Sequence, residues 1–173
     1  TYNFNAGHFA ASDSISGETM TDTILTGRET CYACTVRCKR SVTTTYRDEQ
    51  VDEKYGGPEY ETLATFGSYC GVSDLSAVAM ANQICNEYGL DTIGTGATIA
   101  WAMECFEEGI LSEKDVGFPI PMGDPEVMVK LTKLLAARVG FGDVIADGSR
   151  AAANRLDRGH EYLITVKGAE TPA

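Results

Sequence analysis

The sequence predicts a mainly α fold, a multi-helix domain with short strand or loop segments towards its N- and C-terminal ends. Two observations carry this prediction. After residue 59, apolar residues recur at helical spacing, and the stretches that contain them begin and end with residues that cap helices. At 173 residues the chain is long enough for one domain with a full core, so we expect a single domain over 1–173.

The elements expected before residue 70 are short. Ser16 can cap a helix because its side chain accepts a hydrogen bond from the first helical N–H groups, and Gly27 would end that helix. Alternating residues from 41 onward favour a strand. The sequence thus predicts a loop over 1–15, a helix over 17–25, a strand or hairpin arm over 41–46, a break at Gly56-Gly57-Pro58 and a helix over 59–68.

Stronger signals mark the helices after residue 70. Asp74 is a suitable N-cap for an apolar-faced helix, and Gly89 is a suitable stop. Asp124-Pro125-Glu126 combines an N-cap, a proline at the first helical position and an acid near the positive end of the helix dipole. The sequence therefore predicts helices over 75–88, over 95–108, from 125 to before Gly140 and over 143–156, with a linker over 118–123 and a terminal strand over 161–167.

The charge balance excludes several classes of partner. With 14 basic and 25 acidic residues the net charge is −11, whereas a nucleic-acid or anionic-membrane surface needs a basic footprint. No apolar run approaches the roughly 20 residues of a membrane span, and we expect no signal segment. Neither nucleic acid nor a membrane is therefore an expected partner.

The most specific chemical signal in the sequence is a group of three cysteines. Cys31, Cys34 and Cys38 are spaced Cys-x2-Cys-x3-Cys, and thiolates this close together can bind an iron–sulfur cluster or zinc. Zinc sites usually use two Cys-x2-Cys pairs or a pair with histidines, and His8 and His160 are both remote in sequence. The spacing therefore favours the cluster. Both centres normally take four ligands, and no fourth cysteine lies nearby.

The other three cysteines are scattered. Cys85 and Cys105 lie among apolar residues in helical patterns, where a thiol is usually a small buried hydrophobe. A domain of this size does not need disulfides, and clustered cysteines in it more often bind metal, so we expect a reducing, cytoplasmic compartment. The chain opens without a methionine and neither end resembles a natural terminus, so we also expect a segment of a longer protein.

Two further motifs each allow two interpretations. In Gly56-Gly57-Pro58-Glu59-Tyr60-Glu61 the carboxylates are either a catalytic pair or the acids of a helix start, where the dipole favours them. Asn86-Glu87-Tyr88-Gly89-Leu90-Asp91-Thr92 is either a helix stop with its turn or a set of polar groups that holds a heterocycle. Local sequence favours the structural interpretation of both. His8 and His160 are expected on the surface.

Five ordered blocks of the sequence match one family when they are taken together. They are the cysteine motif over 31–38, Gly57-Pro58-Glu59-Tyr60-Glu61, Tyr88-Gly89-Leu90-Asp91-Thr92-Ile93, Ala102-Met103-Glu104 and Gly140-Phe141-Gly142-Asp143. In this order they resemble the aldehyde ferredoxin oxidoreductases, which are tungsten or molybdenum bis-pyranopterin enzymes. The resemblance spans nearly the whole chain. It implies the middle, cluster- and pterin-contacting domain of a larger three-domain oxidoreductase, with the fourth cluster cysteine in a downstream domain.

The resemblance also implies roles for individual residues. Glu61 would be the catalytic carboxylate, which handles protons of a bound water or substrate oxygen near the metal. Asn86 stands where the family usually has Asp, so an amide oxygen replaces a charged acceptor. The residues implied as ligands of a [4Fe–4S] cluster are Cys31, Cys34 and Cys38, and those implied to bind the tungsten (or molybdenum) bis-pyranopterin are Asn86, Gly89, Leu90 and Asp91.

The reaction that the resemblance implies is oxidation of an aldehyde with water to a carboxylic acid. Two electrons would pass through the cluster to ferredoxin or an electron-transfer subunit, and the isolated segment would be inactive. The resemblance also allows a homodimer. Met80-Ala81-Asn82-Gln83 stands where the best-known member has the Glu-x-x-His of an intersubunit metal, so that bridging metal is not expected.

Two alternatives stay open at this point. Some members of the family reduce an aryl-CoA thioester or a carboxylic acid, and Cys70, nine residues after Glu61, would then be a candidate thiolate near the metal. A buried turn residue is the favoured interpretation of Cys70. The other alternative is a non-catalytic zinc or iron–sulfur module, which acts as an electron carrier or an interaction domain.

Overall fold

The mainly α prediction is confirmed by a computed structural model that describes all 173 residues. About half of the chain is helical, and the strands form three separate two-stranded antiparallel sheets. The helices are α1 (Gly17–Thr23), α2 (Tyr60–Thr62), α3 (Leu75–Tyr88), α4 (Thr92–Glu107), α5 (Glu113–Val116), α6 (Pro125–Ala137), α7 (Phe141–Ile145) and α8 (Ser149–Leu156). The strands are β1 (Leu25–Glu29), β2 (Lys39–Val42), β3 (Thr44–Tyr46), β4 (Glu49–Val51), β5 (Thr165–Val166) and β6 (Ala169–Glu170).

Several short or wide helical turns complete the chain. A π-helix over Leu63–Tyr69 continues directly from α2, and the 3-10 turns lie at Ser12–Ile15, Glu53–Tyr55 and His160–Tyr162. The helix expected over 59–68 is therefore present, but most of it has the wider π geometry. None of the helices has the length and apolar character that crossing a membrane requires.

The predicted caps of the main helices are confirmed. Ser16 accepts a hydrogen bond from the Thr19 N–H at the start of α1. Asp74 and Asp124 each accept from two main-chain N–H groups in the first turn of α3 and of α6. Gly89 ends α3 with φ of 70°, a left-handed conformation that glycine adopts without strain. These signals are local, which is why sequence alone located them.

Two predicted boundaries were wrong because the ends of the helices are capped differently. The first helix ends at Thr23, and Gly27 lies inside β1 instead of ending the helix. The helix expected over 95–108 begins at Thr92, because the Asp91 carboxylate accepts a hydrogen bond from the Gly94 N–H (2.6 Å) and acts as the N-cap.

The C-terminal region also differs from the prediction. The helix expected over 143–156 is divided into α7 and α8, which are separated by Gly148 with φ of 95°. The strand expected over 161–167 is a 3-10 turn followed by the short β5–β6 hairpin. The Glu170 carboxylate accepts hydrogen bonds from both the N–H and the hydroxyl of Ser149 (2.8 and 2.9 Å). This long-range contact holds the hairpin against the start of α8.

The core lies between α3, α4, α6 and the π-helix. The pairs in close contact are α3 with α6 and α4 with the π-helix. Trp101 on α4 is buried and its indole N–H donates to the Gly159 carbonyl (2.9 Å), which fixes the segment before the last hairpin. The largest fully buried side chains are Trp101, Phe66, Met20, Met80, Ile99 and Met103.

The N-terminal loop is attached to this core by a buried acid. Asn3 is 4% exposed, and its amide donates to the Glu104 carboxylate and to the Tyr162 carbonyl (3.0 Å). Burial raises the pKa of Glu104, while the amides of Asn3 and Asn5 oppose that shift. The expected loop over 1–15 is therefore held in place by α4 instead of lying free in solvent.

Candidate functional site

The three predicted cluster ligands lie on the loop between β1 and β2. These strands pair antiparallel, with Glu29 opposite Lys39 at the mouth of the loop. Within the loop, the Cys34 N–H donates to the Cys31 carbonyl (3.0 Å). Cys31, Cys34 and Cys38 are all exposed and form no disulfide. The hairpin thus presents three free thiols on one short segment.

The three thiols do not converge on a single point. No group of three or more His, Cys, Asp or Glu side chains in the chain lies close enough together to hold one metal ion. A cubane instead offers a separate iron corner to each thiolate. The chain has no exposed cysteine for the fourth corner, because Cys70, Cys85 and Cys105 are buried.

A cleft of about 370 Å³ brings together three of the other predicted site residues. Glu61 on α2, Asn86 on α3 and Asp91 at the start of α4 all line it. Lys39, which directly follows Cys38, lines the same cleft. The cleft therefore extends from the proposed proton-handling carboxylate to the base of the cysteine loop.

Glu61 is held by contacts of the turn that precedes it. Glu59, the N-cap residue of α2, pairs with Arg40 on β2 (2.7 Å), and the Gly57 N–H donates to the Arg40 carbonyl (2.8 Å). A Cβ on Gly57 would lie 2.6 Å from a side chain of β2, so only glycine allows this approach. Glu61 itself is half-buried, and its Oε2 accepts a hydrogen bond from the Ala173 N–H (2.8 Å).

Gly89 and Leu90 shape the turn between α3 and α4. The Leu90 N–H donates to the Cys85 carbonyl (2.8 Å) after the left-handed Gly89. Gly89 does not line the 370 Å³ cleft. Leu90 lines a neighbouring cavity of about 310 Å³, which it shares with Asp91 and Glu170. Of the four predicted pterin-binding residues, the structure places Asn86 and Asp91 on the cleft.

Asn86 and Asp91 offer hydrogen-bond acceptors to the cleft. The Asn86 amide nitrogen donates to the Asn82 carbonyl (2.9 Å), which leaves its Oδ1 as an acceptor. Asp91 uses one carboxylate oxygen on the Gly94 N–H and keeps the other. A pterin carries ring N–H and amino donors, so this acceptor set fits its edge.

The charges of the cleft are mixed. Glu59, Glu61 and Asp91 supply carboxylates, and Lys39 supplies an ammonium group that also pairs with Glu29 (3.4 Å). Sequence reasoning missed Lys39. Its adjacency to Cys38 was the available signal, because a residue next to a ligand loop shares the surroundings of that loop.

Tyr69 is a second residue that sequence reasoning missed. It is 2% exposed, and its hydroxyl has no hydrogen-bond partner. Burial, followed by the charge of Glu61, raises the pKa of Tyr69 to about 12. The phenol therefore lies within electrostatic reach of the candidate catalytic carboxylate, although no sequence pattern indicated this.

Cys70 and the two histidines lie in the surroundings that the sequence predicts for residues without a role in the site. Cys70 is fully buried, its thiol donates to the carbonyls of Thr65 (3.4 Å) and Gly96 (3.6 Å), and burial raises its pKa. Burial of this kind disfavours the thiolate, which favours the interpretation of Cys70 as a buried turn residue. His8 and His160 are exposed, as expected.

Comparison with protein families and known proteins finds similar chains. The family described as aldehyde ferredoxin oxidoreductase, domains 2 and 3, matches residues 1–173. The chain is 37% identical over 177 residues to a tungsten-containing aldehyde ferredoxin oxidoreductase of Pyrococcus abyssi, and 39% identical over 174 residues to one of Pyrococcus furiosus. The two alignments cover 100% and 99% of this chain, which spans 28% of the length of each relative.

Two further similarities lie outside the aldehyde enzymes. An aliphatic sulfonate oxidoreductase, WOR-like subunit, of Pyrococcus furiosus is 30% identical over 142 residues, which covers 79% of this chain and 23% of that protein. The solved active-site complex of benzoyl coenzyme A reductase with 1,5-dienoyl-CoA has a TM-score of 0.71 and 28% identity, and it covers 88% of this chain and 22% of that one. With the match over its full length, the chain belongs to the aldehyde ferredoxin oxidoreductase family, whose named relatives are tungsten-containing enzymes.

Proposed function

We propose that the chain is the cluster- and pterin-contacting domain of a tungsten (or molybdenum) bis-pyranopterin oxidoreductase. The whole protein would oxidise an aldehyde and water to a carboxylic acid, two protons and two electrons. The electrons would leave through a [4Fe–4S] cluster to ferredoxin or an electron-transfer subunit. The observation that carries this proposal is the single cleft lined by Glu61, Asn86 and Asp91, which reaches the cysteine loop through Lys39.

Each side chain has a task that follows from its place. The Cys31, Cys34 and Cys38 thiolates would hold three corners of the cluster. Asn86 and Asp91 would accept hydrogen bonds from pterin N–H groups. The bound metal pterin would supply the two-electron oxidation, which protein side chains cannot perform.

Glu61 would manage protons at this site. Glu61 belongs to the first turn of α2, and its half-buried carboxylate lines the cleft. There it can accept a proton from a water or a substrate oxygen within hydrogen-bonding distance. The fold holds the turn before Glu61 through the Arg40–Glu59 ion pair (2.7 Å). A group positioned this way can act without reorganising the main chain.

Metal analysis of the anaerobically purified full-length protein tests the cofactor set. The expected content is one tungsten or molybdenum with about four irons per chain, the content of a single cubane. Zinc alone, or iron without the heavier metal, would reject the proposal in favour of a non-catalytic metal-binding module.

Glu61→Gln in the full-length protein tests the catalytic assignment. The variant should keep its metal and cluster and lose about 100-fold or more in kcat, the usual size of a general acid–base contribution. Glu87→Gln is the matched control, because Glu87 is exposed on α3 and does not line the cleft. Unchanged turnover in Glu61→Gln would remove Glu61 from the mechanism.

Reduction of an aryl-CoA thioester is a second candidate, favoured by the similarity to the benzoyl coenzyme A reductase complex at a TM-score of 0.71. Assays of the full-length protein with simple aldehydes and an artificial electron acceptor, and with benzoyl-CoA and a low-potential reductant, separate the two. Turnover of benzoyl-CoA without aldehyde oxidation would replace the first proposal with the second.

A further inference from the structure

Two buried threonine hydroxyls connect the segment that carries Glu61 to the segment that carries Asp91. Thr62 is 3% exposed, and its hydroxyl lies 2.8 Å from the hydroxyl of Thr92. Thr65 is fully buried, and its hydroxyl lies 3.2 Å from the Thr92 carbonyl and 3.0 Å from the Glu61 carbonyl. The contacts thus converge on Thr92, the residue after Asp91.

The Thr62–Thr92 contact joins two hydroxyls, and the Thr65 contacts join a hydroxyl to main-chain carbonyls of residues that line the cleft. A carbonyl can only accept, so the Thr65 hydroxyl donates to both carbonyls in a three-centre bond. Asp91 is itself held by its cap on the Gly94 N–H (2.6 Å). Movement of Thr92 relative to Thr65 would therefore carry Asp91 away from Glu61.

The packing behind this link leaves little room for adjustment. A Cβ placed on Gly96 of α4 would lie 2.7 Å from Thr65 side-chain atoms and 2.9 Å from its main-chain carbon. The two elements are thus in near backbone contact, where side chains have few alternative arrangements. The hydroxyl contacts set the register of a junction that is already closely packed.

We propose that Thr62 and Thr65 are positioning residues, whose hydroxyls hold Glu61 and Asp91 in a set separation across the cleft. The inference rests on the proposed function, in which Glu61 handles protons and Asp91 holds the pterin. Thr65 does not line the cleft, and the hydroxyl of Thr62, which does line it, is engaged with the Thr92 hydroxyl (2.8 Å). Their loss should therefore lower kcat through misplacement and leave KM largely unchanged.

Thr65→Val in the full-length holoenzyme is the first test. It should lower kcat by about 10- to 100-fold, because a shift of about 1 Å between reacting groups costs up to that factor. Tungsten and iron content should stay at wild-type levels. Thr65→Ser keeps the hydroxyl and should restore kcat close to wild type, which a role in packing alone would not predict.

Thr132→Val is the matched control. Thr132 is fully buried on α6, and its hydroxyl donates to the Met128 carbonyl (2.8 Å) away from the cleft. It should lose thermal stability much as Thr65→Val does, with kcat unchanged. Equal kcat values for Thr65→Val and Thr132→Val in an active wild-type background would overturn the inference. An inactive wild-type protein without tungsten or molybdenum would reject the proposed function instead.

A double-mutant cycle keeps the inference testable if Thr65→Val does not fold. If Thr62 and Thr92 act through their mutual contact, Thr62→Val/Thr92→Val should lose no more kcat than either single variant. Losses that multiply would contradict the link. Hydrogen exchange gives a readout independent of turnover: each single variant should speed amide exchange over 91–96, and unaltered exchange there would also count against the link.

Discussion

Gly96 on α4 and Thr65 on the π-helix are packed so closely that a Cβ on Gly96 would lie 2.7 Å from the Thr65 side chain. The same Cβ would lie 2.9 Å from the Thr65 main-chain carbon, so a rotamer change cannot relieve the contact. This junction lies between the segments that carry Glu61 and Asp91, which line the same cleft. The absence of a side chain at one residue therefore decides how closely the two halves of the candidate site approach.

Gly96→Ala should accordingly destabilise this chain by about 1 to 3 kcal/mol, the usual range for overpacking a tight core. Urea denaturation followed by circular dichroism measures this free energy of unfolding. Gly17→Ala is the control, because a Cβ on Gly17 meets nothing within 4 Å and alanine favours a helix. A Gly96→Ala variant as stable as wild type would show that α4 can move away from the π-helix at little cost.

Thiol modification should separate the six cysteines into two sets of three. Cys31, Cys34 and Cys38 are exposed and should react with iodoacetamide in the metal-free, reduced chain. Cys70, Cys85 and Cys105 are buried, and burial raises the pKa of both Cys85 and Cys105 to about 12, so little thiolate is available to react.

Mass spectrometry of the native chain should therefore find three adducts, and six after denaturation in urea. Peptide mapping should assign the native adducts to the loop between β1 and β2. Alkylation of Cys70 before unfolding would contradict its placement in the core.

Tyr69→Phe should stabilise the chain. The Tyr69 hydroxyl is buried without a partner, and an unsatisfied buried hydroxyl costs about 1 to 3 kcal/mol. Because the pKa of Tyr69 is raised from 10.0 to about 12, its ionisation also destabilises the fold as the pH rises from 10 towards 12. The gain in stability of Tyr69→Phe over wild type should therefore be largest in alkaline solution.

Thermal unfolding at pH 7 and at pH 11 measures both effects. Tyr60→Phe is the control, because Tyr60 is 69% exposed and its hydroxyl can bond to water. A loss of stability in Tyr69→Phe at both pH values would show that the hydroxyl has a partner.

The contact between Asp115 and Arg158 should contribute stability that acid removes. Arg158 donates to the Asp115 carboxylate (2.6 Å), and this contact, with those from Ser112, lowers the pKa of Asp115 from 3.8 to about 2. A lowered pKa means that the stabilisation is present above pH 4 and is lost as the pH falls towards 2.

Arg158→Gln should therefore lower Tm at pH 6, and the difference in Tm between the variant and wild type should become smaller below pH 4. The hydrogen bond from Arg158 to the Ile110 carbonyl (3.1 Å) contributes a part that does not depend on pH. Lys114→Gln is the control on the same helix. A gap between wild type and Arg158→Gln that is constant from pH 6 to pH 2 would contradict the assignment.

Much of the helical framework could be predicted from sequence because its signals are local. The caps at Ser16, Asp74 and Asp124 act within their own first turns. The division at Gly148 and the replacement of the expected C-terminal strand could not be predicted. They depend on Glu170 reaching Ser149, 21 residues earlier in the chain, and a periodicity argument contains no such contact.

Only part of the candidate site could be predicted from the sequence. The spacing of the cysteines predicts the candidate ligands Cys31, Cys34 and Cys38. The family resemblance implies site roles for Glu61, Asn86 and Asp91. Lys39 was missed although it directly follows Cys38, because nothing local relates it to a carboxylate 22 residues away. Tyr69 was missed because no local pattern indicates proximity to a carboxylate eight residues back in the chain.

By itself, the sequence determined the helical class and the helix caps, and it predicts a metal centre at three closely spaced cysteines, since each of these depends on residues within a turn or a loop of one another. Only the tertiary structure decided that Glu61, Asn86, Asp91 and Lys39 share one cleft. That outcome depends on the close approach of α4 to the π-helix and on the pairing of β2 with the turn before α2. Both are contacts between segments far apart in the chain, and packing selects them.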